Sequence, residues 1–294
     1  MKLVSGLSFH NLANLSYCSR YPQTFEVEKV RENDLVFLNL DQFNQFVSIL
    51  HAIPPRYRFV LITQNSDKPF TNDHFKRIAP YVSKVYAINN LCNYGPVKTI
   101  PIGFQDSSLS IIQKCRLRGM TRKNILLYMN FSLNTNKVKR TECLKSFYET
   151  GDYPSNLRDR IVPDASSRMQ MSFSQEPYQF RMQSRVKDWV VRDGKVDRET
   201  FYAKIARAKY VLCPEGTGID CHRTYEAIYF DAIPVMKSNK MNNFFKEIPV
   251  VIVSDWRMVT KEWLLDNYSE HLSRLSKWKS ANPTWIYPTY WMNR

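Results

Sequence analysis

Short apolar runs alternate with longer amphipathic stretches along the chain, a pattern that predicts an α/β protein. In the first third, the apolar runs predict strands at residues 35–40, 58–63, 84–88 and 98–102. Apolar residues at helical spacing predict helices at residues 42–53, ended by Pro54-Pro55, and 72–79, ended by Pro80. This order of elements indicates a first βαβ-type domain.

The second half repeats the alternation and predicts a second α/β domain. Strands are expected at residues 124–129, 210–213, 233–236 and 250–253, and helices at 198–208, 222–230 and 260–276. A length of 294 residues suits two domains that each bury a core. We therefore predict an N-terminal domain over residues 1–110, a C-terminal domain over 121–275, and a tail over 276–294 that packs back on the first domain.

The charge balance points to an anionic partner. The chain has 42 basic and 27 acidic residues, a net charge of +15. Such an excess suits a nucleic acid, a membrane surface or a phosphate-bearing ligand, and composition does not choose among them. Residues 114–145 hold nine Lys or Arg and one acidic residue, so more than half of the excess lies where the two predicted domains meet.

Other sequence features predict a cytoplasmic protein. A hydrophobic content of 44% excludes a disordered chain, and the longest apolar runs fall far short of the ~20 residues that span a bilayer. The first residues lack the sustained apolar segment of a signal peptide. Six scattered cysteines without a C-x-x-C pair favour a reducing compartment over a disulfide framework or a zinc site.

The most informative segment is a glycine turn between a predicted strand and a predicted helix. The chain has eight glycines, and two of them, Gly216 and Gly218, lie within three residues. Glycines at such a turn let the backbone approach another group closely, and the N–H groups that begin the next helix attract anions. A plain tight turn is the alternative. Asp220 is expected to cap the helix.

Arg223 and Glu226 are spaced i and i+3, which places them on one face of this helix. The guanidinium group suits a phosphate, the carboxylate suits the two hydroxyls of a ribose, and His222 can donate to the same phosphates. Together they would bind a nucleoside diphosphate. The alternative is a surface salt bridge, worth ~0.3–0.5 kcal/mol.

The run Cys213-Pro-Glu-Gly-Thr-Gly-Ile-Asp-Cys-His-Arg-Thr-Tyr-Glu-Ala, followed by Ile233-Pro-Val, resembles the donor-binding region of exostosin-like glycosyltransferases. Residues 59–67, 85–90, 100–104 and 127–132 are similar to the compact soluble members of large algal viruses, the chlorovirus β-xylosyltransferases that build capsid glycans. The resemblance covers residues 34–265 and is strongest over 213–235. Asp231 stands where the family usually has Gly, and Asp tolerates a left-handed helix end.

This resemblance implies a GT-B fold, in which two Rossmann-like domains face each other across a cleft. It implies inverting, metal-independent transfer from a UDP-sugar, with no cofactor, and the chain contains no Asp-x-Asp motif. The implied first choices are UDP-xylose as donor and the fucose of a viral capsid N-glycan as acceptor, in the host cytoplasm. The alternative from another class is a nucleic-acid-binding protein that uses residues 114–145.

The resemblance also implies which residues bind the donor. The diphosphate needs a helix N-terminus and cations when no metal is present. Arg140 and Arg158 are candidate helpers, although either is equally consistent with solvated surface charge. Tyr178, Phe180 and Trp189 are candidates to flank the nucleobase. The donor-binding set is Phe131, Ser132, Arg140, Arg158, Pro214, Glu215, Gly216, Thr217, Gly218, His222, Arg223 and Glu226.

An inverting transfer needs a base that takes the proton from the acceptor hydroxyl. In this architecture the base should come from the first domain, near the carboxyl ends of its strands. Asp67 follows a predicted strand, and Asp73 and His74 lie at the start of the next helix. Asp67 and Asp73 are equal candidates, and His74 is the third.

Overall fold

A computed structural model describes residues 2–119, 122–148 and 186–294. The first half holds a parallel sheet whose strands follow one another in chain order from one edge to the other. The strands are β1 (Leu15–Tyr17), β2 (Leu35–Asn39), β3 (Phe59–Gln64), β4 (Val82–Ala87) and β5 (Val97–Thr99). The four strands predicted in this half are confirmed, and β1 is an additional edge strand of three residues.

Three helices belong to the first half: α1 (Gly6–His10), α2 (Phe43–Ala52) and α3 (Asn72–Ile78). The predicted helices correspond to α2 and α3. Successive residues of β2 face opposite sides of the sheet, as a pleated strand requires. Val36 and Leu38 pack in a cluster confined to the first half, whereas Phe37 packs in a second cluster that continues into the C-terminal half.

The second sheet is also parallel, and its strand order reverses. Its strands are β6 (Ile125–Met129), β7 (Val190–Arg192), β8 (Ala208–Leu212), β9 (Ile233–Lys237) and β10 (Val251–Val253). The order across the sheet is β10-β9-β8-β6-β7, so the chain leaves β6 in one direction for β7 and then continues on the other side through β8. The predicted strands of this half are confirmed, and β7 is additional.

The helices after β5 are α4 (Leu109–Leu117), α5 (Lys137–Lys145), α6 (Arg198–Arg207), α7 (His222–Tyr229), α8 (Asn242–Phe245), α9 (Lys261–Asp266), α10 (Tyr268–Ala281) and α11 (Pro288–Met292). The prediction of one helix over residues 260–276 is wrong because Asn267 ends α9 and begins α10. Its side-chain Nδ2 donates to the Trp263 carbonyl at 2.8 Å, which satisfies a group left open at the end of α9. Asp231, after α7, has a φ of +56°, the left-handed conformation expected there.

The C-terminal residues contact the first half of the chain. The Tyr86 hydroxyl of β4 donates to the Met292 carbonyl at 2.6 Å, and the Val4 amide donates to the Ile286 carbonyl at 2.6 Å. No helix among the described residues combines the length and apolar character that crossing a bilayer requires.

Candidate functional site

A cleft of about 270 Å³ lies where the two halves of the chain meet. The loops after β6 and β8 contribute to it, at the position where the strand order of the second sheet reverses. Open parallel sheets bind ligands at such reversals, outside the carboxyl ends of the strands. Eight residues of the predicted site line this cleft: Asp67, Arg140, Gly216, Thr217, Gly218, His222, Arg223 and Glu226.

A side chain is excluded at Gly216 and at Gly218 by different neighbours. A Cβ added at Gly216 would lie 2.9 Å from Nη2 of Arg140. A Cβ added at Gly218 would lie 2.9 Å from Nδ2 of Asn89 and 3.2 Å from Oδ1 of Asp67. Contacts this short require a neighbour to move. The close approach expected of this turn is therefore made to side chains of the same chain, to Arg140 in the second domain and to Asn89 and Asp67 in the first.

Hydrogen bonds join the loop after β6 to the glycine turn. Nδ2 of Asn136 donates to the Gly216 carbonyl at 2.9 Å, and the Thr217 hydroxyl donates to the Thr135 carbonyl at 3.1 Å. Nε of Arg140 donates to the Glu215 carbonyl at 2.9 Å. These three bonds fix the two loops on either side of the strand-order reversal.

Arg140 is a buried cation that also supports the loop after β6. It is 6% exposed, and its Nη1 donates to the Ser132 carbonyl at 2.7 Å. Its guanidinium lies 5.7 Å from the centre of the Phe131 ring. Burial, together with the positive charge of Arg223, lowers the pKa of Arg140. Phe131 and Ser132 thus contact a cleft residue without being among the cleft-lining residues themselves.

Arg223, in the first turn of α7, adds a second guanidinium to the cleft. Its Nε is buried and has no hydrogen-bond partner among the described residues. Neither Arg140 nor Arg223 lies within 4.0 Å of a carboxylate oxygen anywhere in the described part of the chain. Cys221, at the N-cap of α7, provides no side-chain cap to the first-turn N–H groups. The site therefore combines two uncompensated cations with an uncapped helix N-terminus, both of which attract anions.

Glu226 is a buried carboxylate in the same cleft, one turn beyond Arg223. It is 2% exposed, and its Oε1 accepts a hydrogen bond from the Tyr202 hydroxyl at 3.0 Å. The alternative for this spacing was a surface salt bridge between Arg223 and Glu226. It is wrong because Glu226 is buried. Buried carboxylates are uncommon unless their oxygens have donors, and one oxygen of Glu226 has Tyr202.

Asp220 and His222 connect the glycine turn to the segment between the domains. The prediction that Asp220 caps α7 is wrong, because Cys221 holds the N-cap position. Asp220 is fully buried, and Oδ2 accepts from the Ile102 amide at 2.8 Å and from the Tyr225 hydroxyl at 2.7 Å. Burial raises its pKa to about 7. Nδ1 of His222 lies 2.7 Å from the Gly103 carbonyl, which can only accept, so Nδ1 donates and Nε2 is left for a ligand.

The three candidate bases occupy different places. Asp67 lines the cleft, in the loop after β3. Asp73 is exposed in the first turn of α3, and His74 completes a capping box with Thr71, whose hydroxyl lies 2.8 Å from Nδ1 of His74. Burial, with Arg77 nearby, lowers the pKa of His74. Neither Asp73 nor His74 is among the described residues that line the cleft.

Pro214 and Glu215 face a second, smaller cavity of about 120 Å³, beside the ends of β8 and β9. The carboxylate of Glu215 forms an ion pair with Lys139, so its side chain has a protein partner. Trp189 packs on Phe147 and is not among the described cleft-lining residues. Arg158, Tyr178 and Phe180 lie outside the described residues.

Four of the nine basic residues in the segment 114–145 form ion pairs with described residues away from the cleft, and three of these lie at or near α4. Lys114 and Arg118 both pair with Glu199, at 2.9 and 2.8 Å, and Arg116 pairs with Asp231 at 2.7 Å. Of the nine basic residues in the segment, Arg140 lines the cleft. The charge at the site therefore comes from a few positions, not from the whole segment.

The cleft is also lined by residues that the sequence did not identify as part of the site, among them Gln105, Thr135, Arg198 and Phe201. Nη2 of Arg198 donates to Oε1 of Gln105, which joins the start of α6 to the segment between the domains. Arg198 and Phe201 are spaced i and i+3, directly after the N-cap Asp197. That spacing matches the Arg223–Glu226 pair on α7 and was the signal available for finding them.

Comparisons with known proteins give one matching family and several solved structures that the chain resembles. The model of a family described as the RXYLT1 C-terminal domain matches residues 134–274, just under half of the chain. No curated protein matches. Solved structures that the chain resembles include HepE of Anabaena in complex with UDP-glucose, at 12% identity and a TM-score of 0.46 over 88% of this chain and 76% of HepE.

Two more structures resemble the chain at a similar level. One is an α,α-trehalose-phosphate synthase (UDP-forming) from Burkholderia xenovorans in complex with glucose-6-phosphate, at 10% identity and a TM-score of 0.48 over 90% of this chain and 73% of that one. The other is AviGT4, a glycosyltransferase involved in avilamycin A biosynthesis, at 14% identity and a TM-score of 0.42 over 90% and 72%. The predicted fold class, two Rossmann-like parallel-sheet domains with a cleft between them, is confirmed by the strand order of this chain itself.

Proposed function

We propose that this protein is an inverting glycosyltransferase that moves a sugar from a UDP-sugar to a hydroxyl group of a glycan. The observation that carries the proposal is the chemistry of one cleft wall. Two guanidinium groups without carboxylate partners, those of Arg140 and Arg223, share the cleft with the buried carboxylate of Glu226. A nucleoside diphosphate carries the complementary groups, a diphosphate and a pair of ribose hydroxyls.

In this proposal the diphosphate lies at the N-terminus of α7 beside Arg140 and Arg223. The first-turn N–H groups and the two cations stabilise the negative charge that develops on the leaving UDP. His222 donates from Nδ1 to the Gly103 carbonyl, and in the imidazolium form, in which both ring nitrogens donate, Nε2 donates to a phosphate oxygen. Glu226 accepts hydrogen bonds from the ribose, and Tyr202 orients its carboxylate.

Asp67 is the proposed catalytic base, since it lies in the cleft on the side of the first domain. Its carboxylate takes the proton from the acceptor hydroxyl while that oxygen bonds to the anomeric carbon. The bond from the anomeric carbon to the diphosphate oxygen breaks, and UDP leaves from the opposite face with the electron pair. Attack opposite the leaving group inverts the configuration.

The finer substrate assignment is also a proposal. Xylose from UDP-xylose is the first choice of donor, supported by the resemblance to viral xylosyltransferases and by the xylosyltransferase-like character of the matching family. The fucose of a branched N-glycan is the first choice of acceptor, from the resemblance alone. We also propose that transfer needs no metal ion, because Arg140, Arg223 and the α7 N-terminus supply the positive charge.

A thermal-shift screen of UDP, GDP, UDP-sugars and GDP-sugars tests the proposal. UDP and at least one UDP-sugar should raise the melting temperature, and the best donor should then yield a glycan product on an acceptor panel that includes fucosides. Repeating the transfer in EDTA tests metal independence. If no nucleotide or nucleotide sugar stabilises the protein, the proposal is wrong, and salt-sensitive binding of an oligonucleotide would then favour the nucleic-acid-binding alternative.

A further inference from the structure

One buried asparagine connects the two sides of the cleft. Asn89 lies just after β4 and is fully buried, with a φ of +47°. Left-handed backbone is unfavourable for a residue with a side chain, and such residues concentrate at sites where the surrounding structure enforces them. Asn tolerates this conformation better than most residues with a side chain, so it is the side-chain contacts of Asn89, and not its φ, that point to a role.

The side chain of Asn89 makes one hydrogen bond to the second domain and one within the first domain. Oδ1 accepts from the Asp220 amide of the glycine turn at 2.8 Å. Nδ2 donates to the Ser66 carbonyl at 3.4 Å, directly before Asp67. Gly218 approaches the same amide group so closely that a Cβ there would collide with it. One side chain thus contacts both the donor-side turn and the loop that presents the proposed base.

The loop that holds Asp67 is otherwise anchored within the first domain. Nδ2 of Asn65 donates to the Tyr21 hydroxyl at 2.9 Å, and the Ser66 hydroxyl donates to Oδ1 of Asp41 at 3.0 Å. These two bonds tie the loop to neighbouring segments of the first domain, so the loop and those segments form one unit and move together. A displacement of Asp220 is passed to this unit through Asn89, because the amide group contacts both.

We propose that Asn89 is a positioning residue that couples nucleotide binding at the glycine turn to the placement of Asp67. When a nucleotide orders residues 216–220, the Asp220–Asn89–Ser66 chain fixes the loop that holds the base. This inference rests on the proposed function. It adds to that function an energetic link between the donor side and the acceptor side of the cleft.

The test uses Asn89→Gly, measured by hydrogen–deuterium exchange with and without UDP. Glycine adopts a φ of +47° without steric cost, so the backbone turn is retained while both side-chain bonds are lost. In the wild type, UDP should slow exchange in residues 214–224 and also in residues 65–70. In Asn89→Gly, UDP should slow exchange in 214–224 but leave 65–70 unchanged.

Asn33→Gly is the matched control, because Asn33 also has a left-handed φ, +60°, at a turn outside the described cleft lining. It should reproduce the wild-type exchange pattern. Asn89→Asp is a second variant in case Asn89→Gly does not fold. It keeps an acceptor for the Asp220 amide and places an oxygen against the Ser66 carbonyl, so it should lose the coupling to residues 65–70.

Kinetics give an independent readout. At saturating donor, Asn89→Gly should lower kcat about tenfold to a hundredfold, as misplacement of a base does, while the Kd for UDP changes less than about threefold. Protection of residues 65–70 by UDP in Asn89→Gly would overturn the inference, as would protection confined to 214–224 in the wild type. Absence of any UDP effect in the wild type would instead reject the proposed function, on which the inference rests.

Discussion

Glu226 of the cleft forms a polar contact with Tyr202, and both side chains are buried. A carboxylate in such a place is costly unless a ligand or a neighbour donates to it. Tyr202 donates to one oxygen, and burial beside Glu226 raises the pKa of the Tyr202 phenol, so the tyrosine stays a donor at neutral pH. The second oxygen is the one we assign to the ribose.

Replacing Glu226 with Gln should weaken UDP binding by about tenfold to a hundredfold, because hydrogen bonds to a charged group are worth about 1.5–3 kcal/mol. The wild type should also prefer UDP over 2′-deoxy-UDP, and Glu226→Gln should lose most of that preference. Isothermal titration calorimetry with the two ligands measures both effects. Tyr202→Phe is the matched control, since it removes the protein donor and leaves the carboxylate in place. An unchanged preference in Glu226→Gln would show that Glu226 does not contact the ribose.

Arg140 donates to the carbonyls of Ser132 and Glu215 and so joins two loops. Among the described residues, Arg223 joins no loops in this way, and its Nε has no hydrogen-bond partner. Replacing Arg223 with Ala should therefore weaken UDP binding about tenfold or more while the melting temperature changes little. Uridine, which lacks phosphates, should bind wild type and variant equally. Arg257→Ala removes an exposed arginine and serves as the control for net charge. Equal losses of uridine and UDP affinity would contradict a phosphate contact for Arg223.

At the scale of elements, the glycine turn depends on the fit of its backbone against two other loops. In Gly218→Ala, the new Cβ would lie 2.9 Å from Nδ2 of Asn89 and 3.2 Å from Oδ1 of Asp67, so the buried Asn89 amide must shift and its bonds to Asp220 and Ser66 are disturbed. The free energy of unfolding should fall by about 1–3 kcal/mol, as overpacking typically causes, and turnover should fall with it. Gly194→Ala is the control, since its Cβ would have no neighbour within 4 Å. Urea titrations compare the two, and equal midpoints would show that the turn has room for a side chain.

The elements with strong local patterns could be predicted from sequence, and the remaining ones could not. Buried strands such as β3 and β6 are continuous apolar runs, and α2 and α3 end at prolines, so each carries its own signal. The strands β1 and β7 have three residues each and are strands because a neighbour pairs with them. The helix α5 is mostly polar, and two of its buried residues, Arg140 and Thr141, do not mark a buried face in the sequence.

The same distinction applies to the site. The glycine turn, Arg223 and Glu226 are adjacent in sequence, so their spacing revealed them. Gln105 and Arg198 are 93 residues apart, and only the packing of the two halves brings them together. Asp67 and Asp73 were equal candidates in sequence, and the path of the loop after β3 places the first of them in the cleft.

At the scale of the whole molecule, the charge of +15 is distributed unevenly between paired and unpaired positions. Lys114 and Arg116 on α4, and Arg118 at its C-cap, pair with acidic residues of the C-terminal half, and these pairs hold α4 against that half. Exposed pairs add little stability individually, about 0–1 kcal/mol. Among the described cations without a carboxylate partner, Arg140 and Arg223 line the cleft, whereas others, such as Lys98 and Lys137, are exposed elsewhere on the surface. The positive field inside the cleft therefore depends on these two arginines and on their burial more than on the net charge.

The junction between the halves should respond to pH through Asp220. Burial raises the folded-state pKa of this carboxyl to about 7, above the value of about 3.9 expected in the unfolded chain. Between these pH values the folded protein binds a proton that the unfolded chain does not, so stability from this group is greatest at low pH and is lost as the pH rises through about 7. Asp220→Asn, which resembles the protonated acid, should not show this loss.

Between pH 5 and pH 8, the wild type should therefore lose about 1–3 kcal/mol of unfolding free energy relative to Asp220→Asn, measured by urea titrations at both pH values. Asp255→Asn is the control of opposite sign. Its hydrogen bonds with Arg257 lower the pKa of Asp255 to about 2, so Asp255 is ionised in both the folded and the unfolded protein throughout this range. The difference in unfolding free energy between Asp255→Asn and the wild type should therefore stay constant.

Because Asp220 accepts from Ile102 as well as from Tyr225, the lost stability should appear at the contact between the halves, as faster amide exchange at Ile102 and Gly103 at pH 8. Parallel pH dependence of wild type and Asp220→Asn would mean that Asp220 is ionised across the whole range. The hydrogen bonds that it accepts from the Ile102 amide, the Tyr225 hydroxyl and the Cys221 amide would then outweigh the cost of its burial.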